Sequence, residues 1–381
     1  MNLNHINVIA RYEVKLVKRS WLFRIFAILA LLFISAIMLG YQTGIVNRMD
    51  NLWPRIAVSS LMPFCNTYFY NIAQSVIVVF LPGSFLKRDK KLDTAEVIYV
   101  RPMSNADYIV GKTWGIVKVF ITLNIITLLF TAFLNILINK SPFDLFPYLF
   151  YLLTISVPSL LFVLGLSFTA MCILKNQAVT FIVMLGIIGT VFFYLTDTLY
   201  GVFDFFGVNI PAIFSDVTGH ADLRLFLLQR FSYLLAGIGL ISMTIALVKR
   251  LPHKPWKIAV VYTFSSLFLL AACLGGLLYI LHYNHQLDLR NQYITTFDKY
   301  ADAPHVDLLV NDLSVTPRGD RLAGKSTVKV VNNNTEVLDK IIFYLNPELT
   351  VTSVETGGKS LTFQRDHQVI VVDQPIQQQE E

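Results

Sequence analysis

Long apolar stretches dominate the chain as far as Leu287, separated by shorter charged segments. Seven of these stretches run for 18 residues or more without a Lys, Arg, Asp or Glu. A helix needs roughly 20 apolar residues to cross the hydrocarbon core of a bilayer, so the pattern predicts a polytopic α-helical membrane protein with about seven spans. The stretches are Ile25–Asn47, Ile56–Leu86, Val119–Asn139, Leu145–Leu174, Asn176–Thr196, Phe231–Val248 and Ile258–Leu287.

The sixth stretch is the shortest, at 18 residues, and we expect the helix to extend back to about Leu225. This extension includes Arg230, whose long side chain is expected to reach the membrane surface. The preceding segment, Thr198–Asp222, is rich in Phe and Tyr and contains Pro211. Aromatic residues at this level fit the membrane interface, so a plain interfacial loop is one prediction. A short re-entrant pair of helices, which the family resemblance described below implies, is the other.

The periodicity changes at about Val306, where short runs of β-branched and aromatic residues alternate with turn residues. Runs of this length and spacing are typical of antiparallel sheets and β-sandwiches. The sequence therefore predicts a small all-β domain over residues 305–375, preceded by a polar connector over 284–304 and followed by a polar tail over 376–381. The predicted strands are Leu308–Val315, Thr327–Val331, Val337–Leu345, Leu349–Val354 and Val369–Val372.

Composition and charge support membrane insertion and predict its orientation. Hydrophobic residues make up 55% of the chain and charged residues 15%, against about 25% charged residues in soluble domains. Lys and Arg in short loops are retained on the cytoplasmic side. With the N-terminus inside, sixteen of them fall in the cytoplasm and five outside. We therefore expect a multi-pass protein of the cytoplasmic (inner) membrane, with an extracytoplasmic β domain. The net charge of +6 then reports topology and not a nucleic-acid partner.

Residues 1–24 precede the first span and carry an amphipathic pattern. One helical face collects apolar side chains, the other collects cations, and Glu13 falls on the apolar face. Such a segment is expected to lie in the membrane interface with its cations toward anionic headgroups, although an ordinary basic flank of the first span is the alternative. The apolar residues are Ile6, Ile9, Ala10, Leu16 and Val17, and the cations are Arg11, Lys15 and Lys18.

The longest inward-facing loop covers residues 87–112 and reads KRDKKLDTAEVIYVRPMSNADYIVGK. Its first part, Leu92 to Val100, is compatible with a short helix that Pro102 ends. Ser104 or Asn105 can cap a second helix, with Asp107 in its first turn, and that helix leads into the third span. The loop therefore predicts a short cytoplasmic helix held between two spans.

This layout resembles the permease subunit of type-2 ABC exporters. The matching loop positions keep the family's spacing, although Asp89 stands where the family usually has Glu and Asp93 where it usually has Gly. The resemblance covers roughly residues 1–250 and implies a six-span permease domain over 25–250, with a seventh span over 258–283 added to it. The matching residues are Arg88, Asp89, Thr94, Glu96, Pro102, Ser104, Gly111 and Lys112.

In that family the loop carries the coupling helix, which binds in a groove of the cytoplasmic ATPase. The resemblance implies that Glu96 and Arg101 make polar contacts to the ATPase while Leu92, Ala95 and Tyr99 fill its groove. A basic loop that only enforces topology is the alternative. The full set of implied ATPase-coupling residues is Leu92, Thr94, Ala95, Glu96, Tyr99, Arg101 and Pro102.

A few polar residues interrupt the predicted spans. Asn66, Tyr70 and Gln74 recur at intervals of four in the second span, and Asn124 lies in the third. They are candidates for lining a translocation pathway, with interhelical hydrogen bonding as the alternative. The spans carry no central pair of carboxylates, which argues against a proton-driven pump.

The β segment contains one deceptive motif and one resemblance. GDRLAGKS at Gly319–Ser326 fits the phosphate-binding loop pattern, but β-branched residues come after it where that loop needs a helix, so a hairpin is predicted. The runs LAGKSTVKVVN at 322–332 and IIFYLNPELTV at 341–351, with V-x-x-x-G at 354–358, resemble the N-terminal β-sandwich of zinc-dependent aminopeptidases. Only that non-catalytic part is represented, so the resemblance implies no catalytic residue and no metal ligand.

Taken together, the sequence predicts the permease subunit of an ATP-driven ABC transporter, without catalytic residues, cofactor or metal of its own. Its predicted partners are a cytoplasmic ABC ATPase, a second copy or a homologous permease, and membrane lipid. A membrane-anchored binding or peptidase-linked protein is the alternative of another class, and a stand-alone transporter is a third.

Overall fold

The computed structural model describes residues 2–43, 59–89, 103–138, 142–207, 209–210, 212–216, 219–220, 222–248, 255–318 and 321–379. The chain forms two compact units, Met1–Leu281 and His282–Glu381. The first is helical, and the second contains the end of the last helix and all of the described β-strands.

The described residues contain eight α-helices, α1 to α8. Seven of them, α2 to α8, are long and apolar enough to cross a membrane. They match the seven predicted stretches one for one and in order, so the number and placement of the apolar helices are confirmed. The helices are α1 Leu3–Arg19, α2 Trp21–Thr43, α3 Leu61–Asp89, α4 Asn105–Ile138, α5 Leu145–Leu174, α6 Gln177–Leu195, α7 Leu223–Leu247 and α8 Pro255–Tyr300.

The predicted amphipathic segment is helix α1. Asn2 caps it, because its side chain accepts a hydrogen bond from the backbone N–H of Asn4 at 3.0 Å. The face that contains Ile6, Ala10 and Val17 is buried, and it packs on the first turns of α4. The predicted helix start at Ser104 or Asn105 is confirmed, because α4 begins at Asn105 and continues into the third apolar stretch, with α1 covering its polar N-terminal part.

Helices α5 and α7 cross at glycines and pack extensively. A Cβ placed on Gly237 would lie 2.7 Å from backbone atoms of Leu161 and Phe162, and one on Gly165 would lie 2.8 Å from the carbonyl oxygen of Gly237. Only glycine allows two helix backbones to approach this closely, a common device where apolar helices pack. The two helices therefore form a close pair within the first unit.

Helix α5 contains a π-helical turn at Leu152–Ser156, directly before Pro158. Proline has no N–H to donate to the preceding turn and its ring crowds that turn, so the helix widens ahead of Pro158. The Ser156 carbonyl oxygen is accessible to another helix at this point and accepts a hydrogen bond from Gln74 Nε2 at 3.2 Å.

The predicted re-entrant pair of helices between α6 and α7 is wrong for the described residues. The segment has one 3-10 turn, Thr198–Gly201, followed by turns and bends. Leu199 and Tyr200 take positive φ angles of 49° and 61°, which ends the helical path. Phe205 and Phe206 of this segment are buried inside the bundle, and the alternative of an interfacial loop stays a prediction.

The second unit contains three small antiparallel sheets, in agreement with the predicted all-β region. The strand orders are β1-β2, β3-β7-β6 and β4-β5. The strand predicted at Val369–Val372 is confirmed, whereas Leu349–Val354 is not a strand. The strands are β1 Asp307–Arg318, β2 Arg321–Val331, β3 Ile341–Tyr344, β4 Glu355–Thr356, β5 Lys359–Ser360, β6 Phe363–Asp366 and β7 Val369–Val372.

The motif that mimics a phosphate-binding loop lies in the β1–β2 hairpin. Gly324, Lys325 and Ser326 belong to strand β2 and pair with Val315, Ser314 and Leu313 of β1. The motif leads into the rest of this strand and not into a helix, so backbone N–H groups cannot converge on a phosphate as they do at a helix N-terminus. The predicted hairpin is confirmed.

The predicted polar connector is helical over most of its length, because α8 continues to Tyr300. The C-terminal end of α8 contacts strand β6 and the turn after it, within the second unit. Lys299 Nζ lies 2.7 Å from Asp366 Oδ2, and Gln368 Nε2 donates to the Tyr293 carbonyl oxygen at 2.6 Å. The apolar core of the unit is small and is formed by Leu338, Ile341, Ile370, Val372 and Ile376.

Candidate functional site

The predicted ATPase-coupling residues, Leu92, Thr94, Ala95, Glu96, Tyr99, Arg101 and Pro102, lie outside the described residues. The next helix in the chain is described. Helix α4 begins at Asn105, and its first three turns contact both α1 and α7. This contact region is called the α1–α4 junction below.

The start of α4 is capped by a reciprocal pair. The Asp107 backbone N–H donates to Ser104 Oγ at 3.0 Å, and the Ser104 backbone N–H donates to Asp107 Oδ2 at 3.2 Å. Two of the N–H groups that a helix start leaves without an intrahelical partner are thereby bonded. Asp107 also accepts from the Asn2 backbone N–H at 2.9 Å, so one carboxylate connects the starts of α1 and α4.

Two glycines one turn apart bring α1 against α4. A Cβ on Gly111 would lie 2.8 Å from the Cβ of Ile9, and one on Gly115 would lie 2.6 Å from the Cβ of Glu13 and 2.8 Å from the Ala10 carbonyl oxygen. Glycines four residues apart give a helix the flat face that close packing needs. The family resemblance matched Gly111 only as part of a loop motif.

Between these glycines, Lys112 forms an ion pair with Glu13 of α1. Both side chains are buried, with 3% and 1% of their surface exposed. The Lys112 Nζ also lies 5.1 Å from the centroid of the Tyr108 ring. The acidic residue that interrupts the apolar face of α1 is therefore the partner of a lysine in α4. The sequence did not reveal this pairing. The only sign of it was that Glu13, a charged residue, lies on the apolar face of α1.

The junction extends to the end of α7. Asn105 Nδ2 donates to the Val248 carbonyl oxygen at 2.7 Å. Tyr108, Ile109 and Ile241 form a buried apolar cluster beside this bond. The first turns of α4 are thus bonded to α1 on one side and to α7 on the other.

The candidate pathway residues lie in the interior of the first unit. Asn66 Nδ2 donates to Thr127 Oγ1 at 3.3 Å, and Asn66 Oδ1 accepts from Thr131 Oγ1 at 3.2 Å. The Tyr70 hydroxyl donates to the Phe120 carbonyl oxygen at 2.5 Å. Both residues of α3 are therefore hydrogen-bonded to α4.

Gln74 bonds in another direction. Its Nε2 donates to Asn71 Oδ1 at 2.7 Å as well as to the Ser156 carbonyl at the π turn, and Asn71 Nδ2 donates to the Phe206 carbonyl oxygen at 2.8 Å. Asn71, which the sequence did not single out, is completely buried. Asn124 is 1% exposed, and its side-chain amide has no hydrogen-bond partner among the described residues. These contacts show interhelical bonding, and lining of a pathway stays a prediction.

The expectation that the Arg230 side chain reaches the membrane surface is wrong. It is 1% exposed, and its guanidinium donates to the carbonyl oxygens of Asp204 and Phe205, while Nε donates to Gln229 Oε1 at 2.6 Å. The buried turn after Gly201 places these carbonyl oxygens beside the guanidinium group. The Arg230 side chain is therefore hydrogen-bonded without extending to water. The Asp204 carboxylate in turn accepts from the backbone N–H groups of Gly207 at 3.0 Å and Asn209 at 2.7 Å.

No group of three or more His, Cys, Asp or Glu side chains suited to a metal occurs in the part of the chain that the structure describes. No protein-family model matches the chain, and no curated protein matches it.

Proposed function

We propose that this chain is the membrane-spanning permease subunit of an ATP-driven ABC transporter. In this proposal it moves a substrate across the cytoplasmic membrane with energy from a separate cytoplasmic ATPase that binds Leu92–Tyr99, ahead of α4. The observation that carries the proposal is the α1–α4 junction, because the helix that comes after the candidate coupling loop is fixed to two other helices at its first turns.

The junction supports transmission of movement. Helix α4 has 34 residues and is about 50 Å long. A displacement of the loop acts on the start of α4, and the buried Glu13–Lys112 pair, the close glycine contacts and the Asp107 cap carry α1 with it. A load applied at the loop is therefore expected to move α1 and α4 as one body and not to unwind the end of α4.

The charges inside the bundle support an external source of energy. Within the described part of the helical unit, the buried carboxylates are Glu13, Asp107 and Asp204. Glu13 is paired with Lys112, and the other two accept backbone N–H groups. A proton carrier needs a carboxylate that changes its protonation state during transport, whereas these three carboxylates are engaged in an ion pair or in hydrogen bonds from backbone N–H groups.

The exposed faces of several helices support insertion and a second subunit. Large apolar side chains on α2, α6 and α8 remain exposed in the single chain: Leu32 is 63% exposed, Ile182 68% and Leu270 68%. Apolar surfaces of this extent are covered by lipid or by another protein. A second copy or a homologous permease, with lipid around both, provides this cover in the proposal.

The test is ATPase coupling in a reconstituted membrane. The full chain, purified together with its ATPase and placed in proteoliposomes, should stimulate ATP hydrolysis. Glu96→Lys should reduce that stimulation at least tenfold, because a charge of opposite sign replaces a polar contact to the ATPase, while Glu355→Lys in the exposed strand β4 should not. Absence of an associated ATPase, or full stimulation with Glu96→Lys, would contradict the proposal.

The second candidate, a membrane-anchored protein whose helices only present the β domain, is favoured by one observation: residues 282–381 form a compact unit with its own apolar core. It predicts that no ATPase activity associates with the chain. The same reconstitution therefore distinguishes the two functions.

A further inference from the structure

A cavity of about 340 Å³ lies between α1 and α4. Val14 and Lys18 from α1 line it, together with Trp114, Lys118, Val119, Ile121 and Thr122 from α4. It is distinct from the Glu13–Lys112 contact, whose residues do not line it. Trp114 is 43% exposed, so the cavity opens to the surface beside this ring.

The polar part of the cavity is cationic. It contains two lysines, and no acidic side chain is among its described lining residues. Lys118 Nζ lies 5.0 Å from the centroid of the Trp114 ring, a contact that holds the ammonium group at the wall. Arg24 lies close by, because its Nε donates to the Lys18 carbonyl oxygen at 2.8 Å. This charge distribution is complementary to a phosphate group.

Apart from Thr122, the remaining wall is apolar. The cavity lies where the charged N-terminal part of α4 gives way to its apolar stretch. Val14, Val119 and Ile121 form an aliphatic surface next to the ammonium groups. Lys118 is the last charged residue of α4, and the apolar stretch that begins at Val119 comes directly after it. Tryptophan is enriched at the boundary between headgroups and hydrocarbon, and Trp114 lies one turn before Lys118.

We propose that this cavity is a binding site for one anionic phospholipid. The ammonium groups of Lys18 and Lys118 bind the headgroup phosphate, and the start of an acyl chain lies along Val14, Val119 and Ile121. The inference rests on the membrane placement in the proposed function, but not on ATPase coupling. A free phosphate compound would use the two lysines and leave the aliphatic wall exposed to water, which is why a lipid fits better.

The size of the cavity agrees with this occupant. Small-molecule sites usually measure roughly 300 to 1,000 Å³, so 340 Å³ suits a headgroup with its first methylenes and not a whole lipid. The rest of the acyl chain would stay in the bilayer. The lipid would also contact both helices of the α1–α4 junction.

The test measures lipid retained by the full-length chain purified in a neutral detergent. Phosphatidylglycerol is titrated, with phosphatidylcholine as the neutral comparison, and bound lipid is counted by native mass spectrometry. Each lysine near an anionic phosphate contributes roughly fivefold in affinity. The double variant Lys18→Gln with Lys118→Gln is therefore expected to lose about 30-fold in affinity for phosphatidylglycerol.

The matched control removes the same charge elsewhere. Lys257→Gln with Lys329→Gln changes two exposed lysines, one on α8 and one on β2, that do not line the cavity, and should keep affinity within about twofold. The single variant Lys18→Gln changes an exposed side chain and still tests the site if the double variant fails to fold; about fivefold loss is expected from it.

Three results would overturn the inference. Equal phosphatidylglycerol binding by wild type and the Lys18/Lys118 variants would show that the cavity is not the site. Equal retention of phosphatidylcholine, whose phosphate is balanced by a choline cation, would show that the site does not select an anionic headgroup. Equally strong competition by glycerol 3-phosphate would identify a soluble phosphate compound as the ligand. Failure of ATPase stimulation with normal lipid binding would contradict only the proposed function.

Discussion

Lys112 of α4 and Glu13 of α1 form an ion pair that is almost entirely removed from solvent, with 3% and 1% of the two side chains exposed. Two ions lose a large hydration free energy on burial, and their mutual attraction compensates for it only while both are present. The pair therefore fixes which turn of α1 faces which turn of α4, because a shift of either helix would separate the charges.

Removal of one partner should destabilise the first unit. Glu13→Leu leaves the Lys112 ammonium buried without its carboxylate, and breaking such a pair costs about 3–5 kcal/mol. Thermal unfolding in detergent should show a clearly lowered midpoint for Glu13→Leu. The double variant Glu13→Leu with Lys112→Met should recover most of the loss, because an apolar pair replaces the ionic one. Equal midpoints for the single variant and wild type would contradict the buried pairing.

Gly115 should not tolerate a methyl group. A Cβ at this position would lie 2.6 Å from the Glu13 Cβ and 2.8 Å from the Ala10 carbonyl oxygen, and backbone atoms cannot move aside without separating α1 from α4. Gly115→Ala should lower the free energy of unfolding by about 1–3 kcal/mol.

Gly186 on α6 is the matched control for this substitution. A Cβ there meets no atom within 4 Å, so Gly186→Ala should be neutral or stabilise by up to about 1 kcal/mol through helix propensity. The comparison is made by chemical unfolding of both variants in the same detergent. A loss of similar size for both would show that the α1–α4 contact is not the cause.

Gln74 distinguishes a pathway role from interhelical bonding. Gln74→Leu removes a bond to Asn71 within α3 and an interhelical bond to the Ser156 carbonyl of α5. Hydrogen bonds between membrane helices contribute about 0.6 kcal/mol each, so the free energy of unfolding should fall by about 0.6 kcal/mol or slightly more. If Gln74 also lines the pathway, substrate-stimulated ATPase activity should fall at least tenfold.

Thr154→Val on α5 provides the comparison for Gln74, since it removes only a bond within one helix, from Thr154 Oγ1 to the Phe150 carbonyl oxygen. Unchanged activity for Gln74→Leu, with the small loss of stability, would contradict the pathway prediction and leave the bonding role.

Acid should destabilise the region around His220. Burial between Phe214 and Phe226 lowers the pKa of the His220 imidazole below its ordinary value, and Asp222 opposes this shift only in part. Between this lowered pKa and the ordinary value of about 6.5, the unfolded chain binds a proton at His220 that the folded chain does not. The stability that depends on neutral His220 is therefore complete above about pH 6.5 and is lost as the pH falls toward the lowered pKa.

His220→Phe should flatten this dependence, because the substituted ring keeps the aromatic contacts and cannot bind a proton. The measurement is the unfolding midpoint of the full chain between pH 7.5 and pH 5. His282→Phe, at an exposed position of α8, serves as control and should retain the wild-type pH profile. An identical profile for His220→Phe and wild type would contradict the assigned origin.

Hydropathy alone predicted the seven apolar helices because the length of an uncharged stretch is a local property of the chain. The amphipathic face of α1 was predictable for the same reason, since Ile6, Ala10 and Val17 repeat at helical spacing. The β1–β2 hairpin was predictable from the turn residues between two β-rich runs. Each of these predictions depends on residues close together in the sequence.

The buried ionic contacts could not be predicted in this way. Glu13 and Lys112 are 99 residues apart, and the sequence placed Glu13 on the apolar face of α1 without indicating its partner. Arg230 was expected at the surface because nothing in the sequence showed that the Asp204 and Phe205 carbonyls turn inward beside it. Such pairings depend on how helices pack, which single-sequence periodicity does not encode.

The π turn at Leu152–Ser156 sets the rotation of all later residues in α5. An inserted residue in a helix shifts the angular position of all later side chains by about 100°. Removing one residue from this turn would restore an ordinary helix and rotate Gly165 away from the Gly237 backbone, so that a bulky neighbour would meet α7 instead. The wide turn thus sets the rotation of α5 that places Gly165 against α7.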